Sequence, residues 1–141
     1  MDVSEMRRRV VEARVAYLAT IDSEERPHLI PVCFALDEET LYSAVDRKPK
    51  TSPRLRRLDN IRQHPTVAVL VDNYEEDWSR LWWVRLRGEA RVIEEGPERD
   101  RALGLLRDKY AQYQEAPPDG AVIAVSIDEW RGWTASETMS S

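Results

Sequence analysis

WWVRLRGEARVIE, Trp82 to Glu94, is the stretch whose reading decides the architecture. Trp82, Val84, Leu86, Gly88, Ala90 and Val92 share one side, while Trp83, Arg85, Arg87, Glu89 and Arg91 share the other, a period of two that belongs to an extended strand. One face is core and the other is wet or partnered. Just upstream, VAVLV (Val67 to Val71) is unbroken and largely β-branched, as expected of a strand buried on both faces, and the acidic loop Asp72 to Asp77 joins the two. Downstream, Gly96-Pro97 opens a helix with Leu103, Leu106, Tyr110 and Tyr113 at helical spacing, and Pro117-Pro118-Asp119-Gly120 ends it. AVIAVSI and WRGWTA then supply a last strand or strand pair.

Toward the N-terminus, Ser4 is the candidate cap of a short helix over Glu5 to Arg14. VAYLATI (Val15 to Ile21), HLIPVCFAL (His28 to Leu36) and TLYSAV follow, separated by the turns Asp22 to Pro27 and Asp37 to Glu39, which predicts an antiparallel meander. Six or seven mostly hairpin-connected strands with about three helices, and no alternating βαβ units, point to a mainly β closed or split barrel with flanking helices. With 141 residues, no internal repeat and no composition break, the expected organisation is a single domain over 1–141.

Composition narrows the function classes. A net charge of −5 argues against nucleic-acid binding, which needs a broadly basic surface. No apolar run approaches the ~20 residues of a membrane span, and Glu12 and Arg14 interrupt the N-terminal apolar positions where a signal peptide would be continuous, so a cytoplasmic location is expected. Cys33 is the single cysteine, which excludes an intrachain disulfide; its apolar setting predicts a core filler. His28 and His64 have no ligand-spaced partners, so no metal site is expected, and neither belongs to a visible nucleophilic triad. The five tryptophans, Trp78, Trp82, Trp83, Trp130 and Trp133, are numerous for this length; Trp78, beside the acidic loop, is the best candidate to wall a planar ligand.

Against this acidic background, KPKTSPRLRRLDNIRQHP (Lys48 to Pro65) concentrates positive charge. Ser52 suits an N-cap and Pro53 the first helical position, with Leu55, Leu58 and Ile61 as the buried stripe. Lys48, Lys50, Thr51 and Ser52 then sit at the positive end of a helix, an arrangement that favours a bound phosphate; a solvated helix end is the alternative.

A strand LYSAV, a basic Lys-Thr/Ser loop, a helix of the form R-x-L-R-x-L closing at a proline, and a buried strand together resemble the pyridoxamine 5'-phosphate oxidase-like split-barrel superfamily. WSRLWWVRLRGEARV and the ending WRGWTAS are similar to its actinobacterial branch of deazaflavin (coenzyme F420)-dependent proteins. The resemblance implies a six-stranded split β-barrel homodimer with a flavin or deazaflavin between subunits. It assigns phosphate contacts to Lys48, Lys50, Thr51 and Ser52, and places the ring along Pro31, Val32 and Cys33 and along Ser43, Ala44 and Val45. The anionic tail of F420 would draw on Arg47, Arg54, Arg56 and Arg57. The implied activity is hydride transfer from F420H2 to a small unsaturated or quinone-like substrate; FMN in its place, or a non-catalytic carrier, are the alternatives. The Ser-Arg-Lys set and the C-terminal Arg-x-His ending of the oxidases that make pyridoxal phosphate are absent. The outer face at Trp83, Arg85 and Arg87 carries the interface expectation, since arginine and tryptophan are enriched there.

Overall fold

The computed structural model describes residues 1–45 and 53–136. In chain order these form α1 (Val3–Glu12), β1 (Ala16–Ile21), β2 (Pro27–Val32), β3 (Ala35–Asp37), β4 (Thr40–Ala44), α2 (Pro53–Gln63), β5 (Thr66–Asn73), a 3₁₀ turn at Trp78–Arg80, β6 (Trp82–Ile93), α3 (Pro97–Lys109), α4 (Ala111–Glu115) and β7 (Val122–Thr134). The strands build one antiparallel sheet in the order β2-β1-β5-β6-β7-β4-β3. Its two edge strands are neighbours in the chain, with only Cys33 and Phe34 between them. Val32 and Ala35 therefore cannot stand more than about 11 Å apart, so the sheet must curl until its edges meet. The result is the split barrel expected, with seven strands where the resemblance implies six.

The extra strand comes from HLIPVCFAL, which is two strands. β2 pairs with β1 from Ala16↔Val32 to Ile21↔Pro27, whereas β3 pairs with β4 from Ala35↔Tyr42 to Asp37↔Thr40. The predicted meander is thus two hairpins joined at a seam. Both hairpin turns place a glutamate in the left-handed region, Glu25 at φ 61° and Glu38 at φ 53°.

Burial corrects two further expectations. β5 is buried on one face only: Val67, Val69 and Val71 point inward, while Leu70 is 37% exposed. Burial on both faces belongs to the start of β7, where Ile123 and Val125 join the main core and Val122 and Ala124 pack under Ala102 of α3. Cys33 is exposed and is not a core filler, because it lies in the seam where neither ladder continues. At the termini of the helices, Asp2 rather than Ser4 caps α1, its carboxylate accepting from Glu5 N at 2.9 Å. α3 stops at Lys109, so Tyr110 leaves the helical path that its spacing predicts, and the last strand is one 13-residue element.

The core is the inner face of the curled sheet, closed by Met6 and Val10 of α1 and by Leu58 and Ile61 of α2. β6 alternates as read, with Val84, Leu86, Gly88 and Ala90 buried. No helix among the described residues is long and apolar enough to cross a membrane.

Candidate functional site

The seam between β2 and β3 sets the geometry. Tyr110, just beyond α3, reaches into it: its hydroxyl accepts from Phe34 N at 3.1 Å and lies 2.9 Å from Arg14 O and 3.2 Å from Phe34 O. Burial raises the Tyr110 pKa, so the group stays a protonated donor at neutral pH. This contact satisfies peptide groups that neither ladder takes up, and it explains why the helix breaks where it does. Beside it, the Lys109 ammonium sits 3.7 Å from the centroid of the Phe34 ring, with its nitrogen buried and without a hydrogen-bond partner. Desolvation first, and then the Arg14 charge, lower the Lys109 pKa to about 8.

Where the end of β2 meets the end of β4, a cavity of about 140 Å³ opens, lined by Pro31, Val32, Cys33, Ser43, Ala44 and Val45 together with Arg57 of α2 and Tyr113 of α4. All six residues assigned to a ring system converge here. Their convergence follows from topology: β4 is anchored on β7 through Ala44↔Val122, and Val45 N bonds Ala121 O at 2.9 Å, so the strand end is held against the seam. Cys33, which lines the cavity, stands outside both ladders. Chemically the lining combines a hydroxyl, a thiol, a phenol and a guanidinium, a set that suits hydrogen bonding to the polar edge of a planar ligand.

The other assigned residues lie elsewhere. Arg56 is exposed on α2, and its neighbour Arg57 is the one that lines the cavity. Trp78 is 66% exposed on the 3₁₀ turn, its indole N–H directed to the Tyr74 hydroxyl at 3.4 Å, and it lines no part of this cavity. Lys48, Lys50, Thr51 and Ser52, with Arg47, fall outside the described residues, and the helix they precede does begin at Pro53. Sequence reasoning missed the roles of Tyr110 and Tyr113, because their spacing fits a continuous helical stripe; only the chain break at Tyr110 turns them toward the seam.

A second, more apolar pocket of about 370 Å³ opens beneath the loop 74–81, lined mainly by Leu70, Trp82, Trp83, Arg85 and Trp133.

Similar architectures occur among solved structures. The conserved hypothetical protein Rv2991 from Mycobacterium tuberculosis matches with a TM-score of 0.81 and 19% identity, over 99% of this chain and 88% of that one. A FAD-binding protein from Mesorhizobium loti matches at 0.64 and 19%, covering 94% of each chain. HutZ, the heme storage protein from Vibrio cholerae, matches at 0.71 and 14%, over 94% of this chain and 93% of that one. At such identities the likeness establishes the fold alone. No curated protein matches the sequence. The family model described as pyridoxamine 5'-phosphate oxidase matches residues 3–134, nearly the whole chain, and with the curled seven-stranded sheet this establishes that the protein belongs to the pyridoxamine 5'-phosphate oxidase family.

Proposed function

We propose that the protein is an oxidoreductase that binds coenzyme F420 at the seam cavity and transfers hydride from F420H2 to a small unsaturated or quinone-like substrate. The observation that carries this reading is the convergence of Pro31, Val32, Cys33, Ser43, Ala44 and Val45 on one polar-lined cavity beside the start of α2. At about 140 Å³ the cavity accommodates the edge of a ring system rather than a whole cofactor. The remainder would fall to the basic segment 46–52, which precedes a helix N-terminus, and to a partner subunit.

Such a cofactor supplies the hydride; the chain's part is to hold and orient it. Ser43 and the peptides of residues 31–33 would fix the ring edge, Arg57 would balance its charge, and Lys48, Lys50, Thr51 and Ser52 would hold the phosphate. The run from Arg47 to Leu58, free of acidic residues and holding Arg47, Arg54, Arg56 and Arg57, suits the several negative charges of the F420 tail better than a single phosphate. FMN is the second reading, favoured by the fold likeness to a FAD-binding protein.

Titration of the purified protein with F420 and with FMN, followed by ligand fluorescence, separates the two, and the expected result is tighter binding of F420. Oxidation of F420H2 that depends on an added acceptor distinguishes catalysis from carriage. Lys50→Ala should weaken cofactor binding roughly tenfold to a hundredfold, the loss of about 1.5–3 kcal/mol expected for one charge-assisted hydrogen bond. It should leave folding within about 0.5 kcal/mol of the parent. Arg99→Ala, the same charge change away from the cavity, serves as the control, and unchanged binding by Lys50→Ala removes the phosphate assignment.

A further inference from the structure

Four non-aromatic polar side chains are buried among the described residues: Thr20, Ser43, Asn60 and Thr134. Three of them are hydrogen-bonded to other side chains. Asn60 Nδ2 donates to Thr20 Oγ1 at 3.1 Å, and the Thr134 hydroxyl bonds that of Ser136. Ser43 is the exception: it is 2% exposed, and its hydroxyl makes no hydrogen bond with any described residue.

Its place in β4 makes the exception informative. Leu41, Ser43 and Val45 alternate onto one face of the strand, and both Leu41 and Val45 belong to the main core, as does Ile123, the β7 residue paired with Ser43. The pattern calls for an apolar residue at position 43. A hydroxyl there without a partner costs the fold free energy that an alanine would not. It opens instead on the seam cavity, whose lining it shares with Arg57 and Tyr113. Because Ser43 is already buried within one chain, its lack of a partner is not the result of a missing subunit.

The cavity admits the edge of a ring system, and a flavin or deazaflavin has two different ends to offer. The benzenoid end presents mostly carbon, which leaves a buried hydroxyl unsatisfied. The pyrimidinedione end presents two carbonyl oxygens, which accept from it. Position 5, nitrogen in a flavin and carbon in a deazaflavin, belongs to the central ring and lies beyond an edge-sized cavity.

We infer, resting on the cofactor reading above, that the ring enters the seam pyrimidinedione end first, with the Ser43 hydroxyl donating to a ring carbonyl. Position 5, where hydride is exchanged, is then left outside the cavity and open to a substrate. Ser43→Ala tests this with two readouts of opposite sign. The melting temperature should stay level or rise, because the core row loses an unpaired hydroxyl and no carbon. Affinity for F420 and for FMN should fall about tenfold and by the same factor, since both carry the same end.

A probe pair without phosphate or tail, quinazoline-2,4-dione and quinazoline, is followed by saturation-transfer NMR. The parent should bind the dione in preference, and Ser43→Ala should lose that preference. A loss of affinity confined to FMN would put Ser43 at position 5 and overturn the orientation. Parent-like affinity for both cofactors in Ser43→Ala, a lower melting temperature, or equal signals from dione and quinazoline on the parent each overturns the assignment of Ser43. If the parent binds neither F420 nor FMN, the cofactor reading fails, and the dione pair alone decides whether the cavity takes this edge.

Discussion

Glu98, in the first turn of α3, ties that helix to two strands. Its carboxylate accepts both guanidinium N–H groups of Arg91 at 3.0 and 2.9 Å, and the Tyr42 hydroxyl donates to it at 2.8 Å. The Arg91 hydrogen bonds first, and the Tyr42 bond second, lower its pKa to about 2 from the ordinary 4.5. A depressed carboxylate stabilises the fold above the unfolded-state pKa and loses that contribution as pH falls toward the folded one. Linkage gives an upper bound of about 3 kcal/mol, which screening of a side chain 32% exposed reduces to roughly 1–2 kcal/mol. Glu98→Gln should therefore cost about that much in denaturant unfolding at pH 7, and the gap from the parent should close between pH 4.5 and 2. Lys109 carries the opposite sign. Its pKa, lowered to about 8, means that below that value the folded state carries the ammonium at a desolvation cost, which is relieved as pH rises from there toward the unfolded-state value of 10.5. Lys109→Met should be the more stable protein at pH 7, with the advantage shrinking between pH 8 and 10.5; a variant less stable at pH 7 would show that the contact with Phe34 outweighs desolvation.

Among the elements, β6 was the most legible and hides one feature that alternation cannot reveal. Gly88 takes its place in the buried row, yet a Cβ there would stand 2.0 Å from Ser126 O of β7, where the register slips between Arg87 and Gly88. A glycine inside a strand is a signal of such close approach, but its partner strand is not readable from spacing. Because the obstructing atom is backbone carbonyl rather than the end of a flexible side chain, Gly88→Ala should destabilise by about 3 kcal/mol, or lower Tm by roughly 10 °C. A loss under about 1 kcal/mol in thermal unfolding would mean that β7 shifts freely. Other elements divide the same way. The period of two in β6, the Ser52-Pro53 helix start and the Gly96-Pro97 helix start are local signals, and the strand and helix boundaries at these points agree with them. The division of HLIPVCFAL and the end of α3 at Lys109 are decided by a non-local contact, the Tyr110 hydroxyl in the seam, which no local pattern encodes. The exposure of Cys33 follows from that division. The cavity-lining residues 31–33 and 43–45 were legible only through family resemblance; Arg56 and Arg57 were both named for an anionic tail, and that Arg57 is the one lining the cavity is a matter of helix phase that an arginine-rich stretch conceals.

At the scale of the whole molecule, the two long helices α2 and α3 lie away from one face of the sheet among the described residues. α3 packs against β3, β4 and β7, and the buried stripe of α2 joins the inner core, so neither covers the outer face of β2, β1, β5 and β6. Strand register aligns two rows on that face: Pro31, Tyr17, Leu70 and Arg85 in one, and Leu29, Ala19, Ala68 and Arg87 in the other. Leu29 is 66% exposed at the edge of this apolar patch, and Pro31 in the adjoining row also lines the seam cavity. A stable subunit contact needs about 800 Å² per partner with an apolar centre, and we propose this face as the one on which a second copy would complete the cofactor site. Light scattering at micromolar concentration should accordingly report a homodimer. Leu29→Glu tests the contact without touching the core: the side chain is mostly exposed in the single chain, so folding stability should change by no more than about 0.5 kcal/mol. In the dimer it would bury a carboxylate in an apolar contact, at a cost of several kcal/mol unless paired, and association should weaken at least a hundredfold. Cofactor affinity should fall with it, even though residue 29 lies outside the cavity lining, because the partner's share of the site is withdrawn. A parent protein that scatters as a monomer rules out the dimer. A Leu29→Glu variant that stays dimeric moves the interface to another face, and one that becomes monomeric yet binds cofactor as before separates the site from the partner altogether.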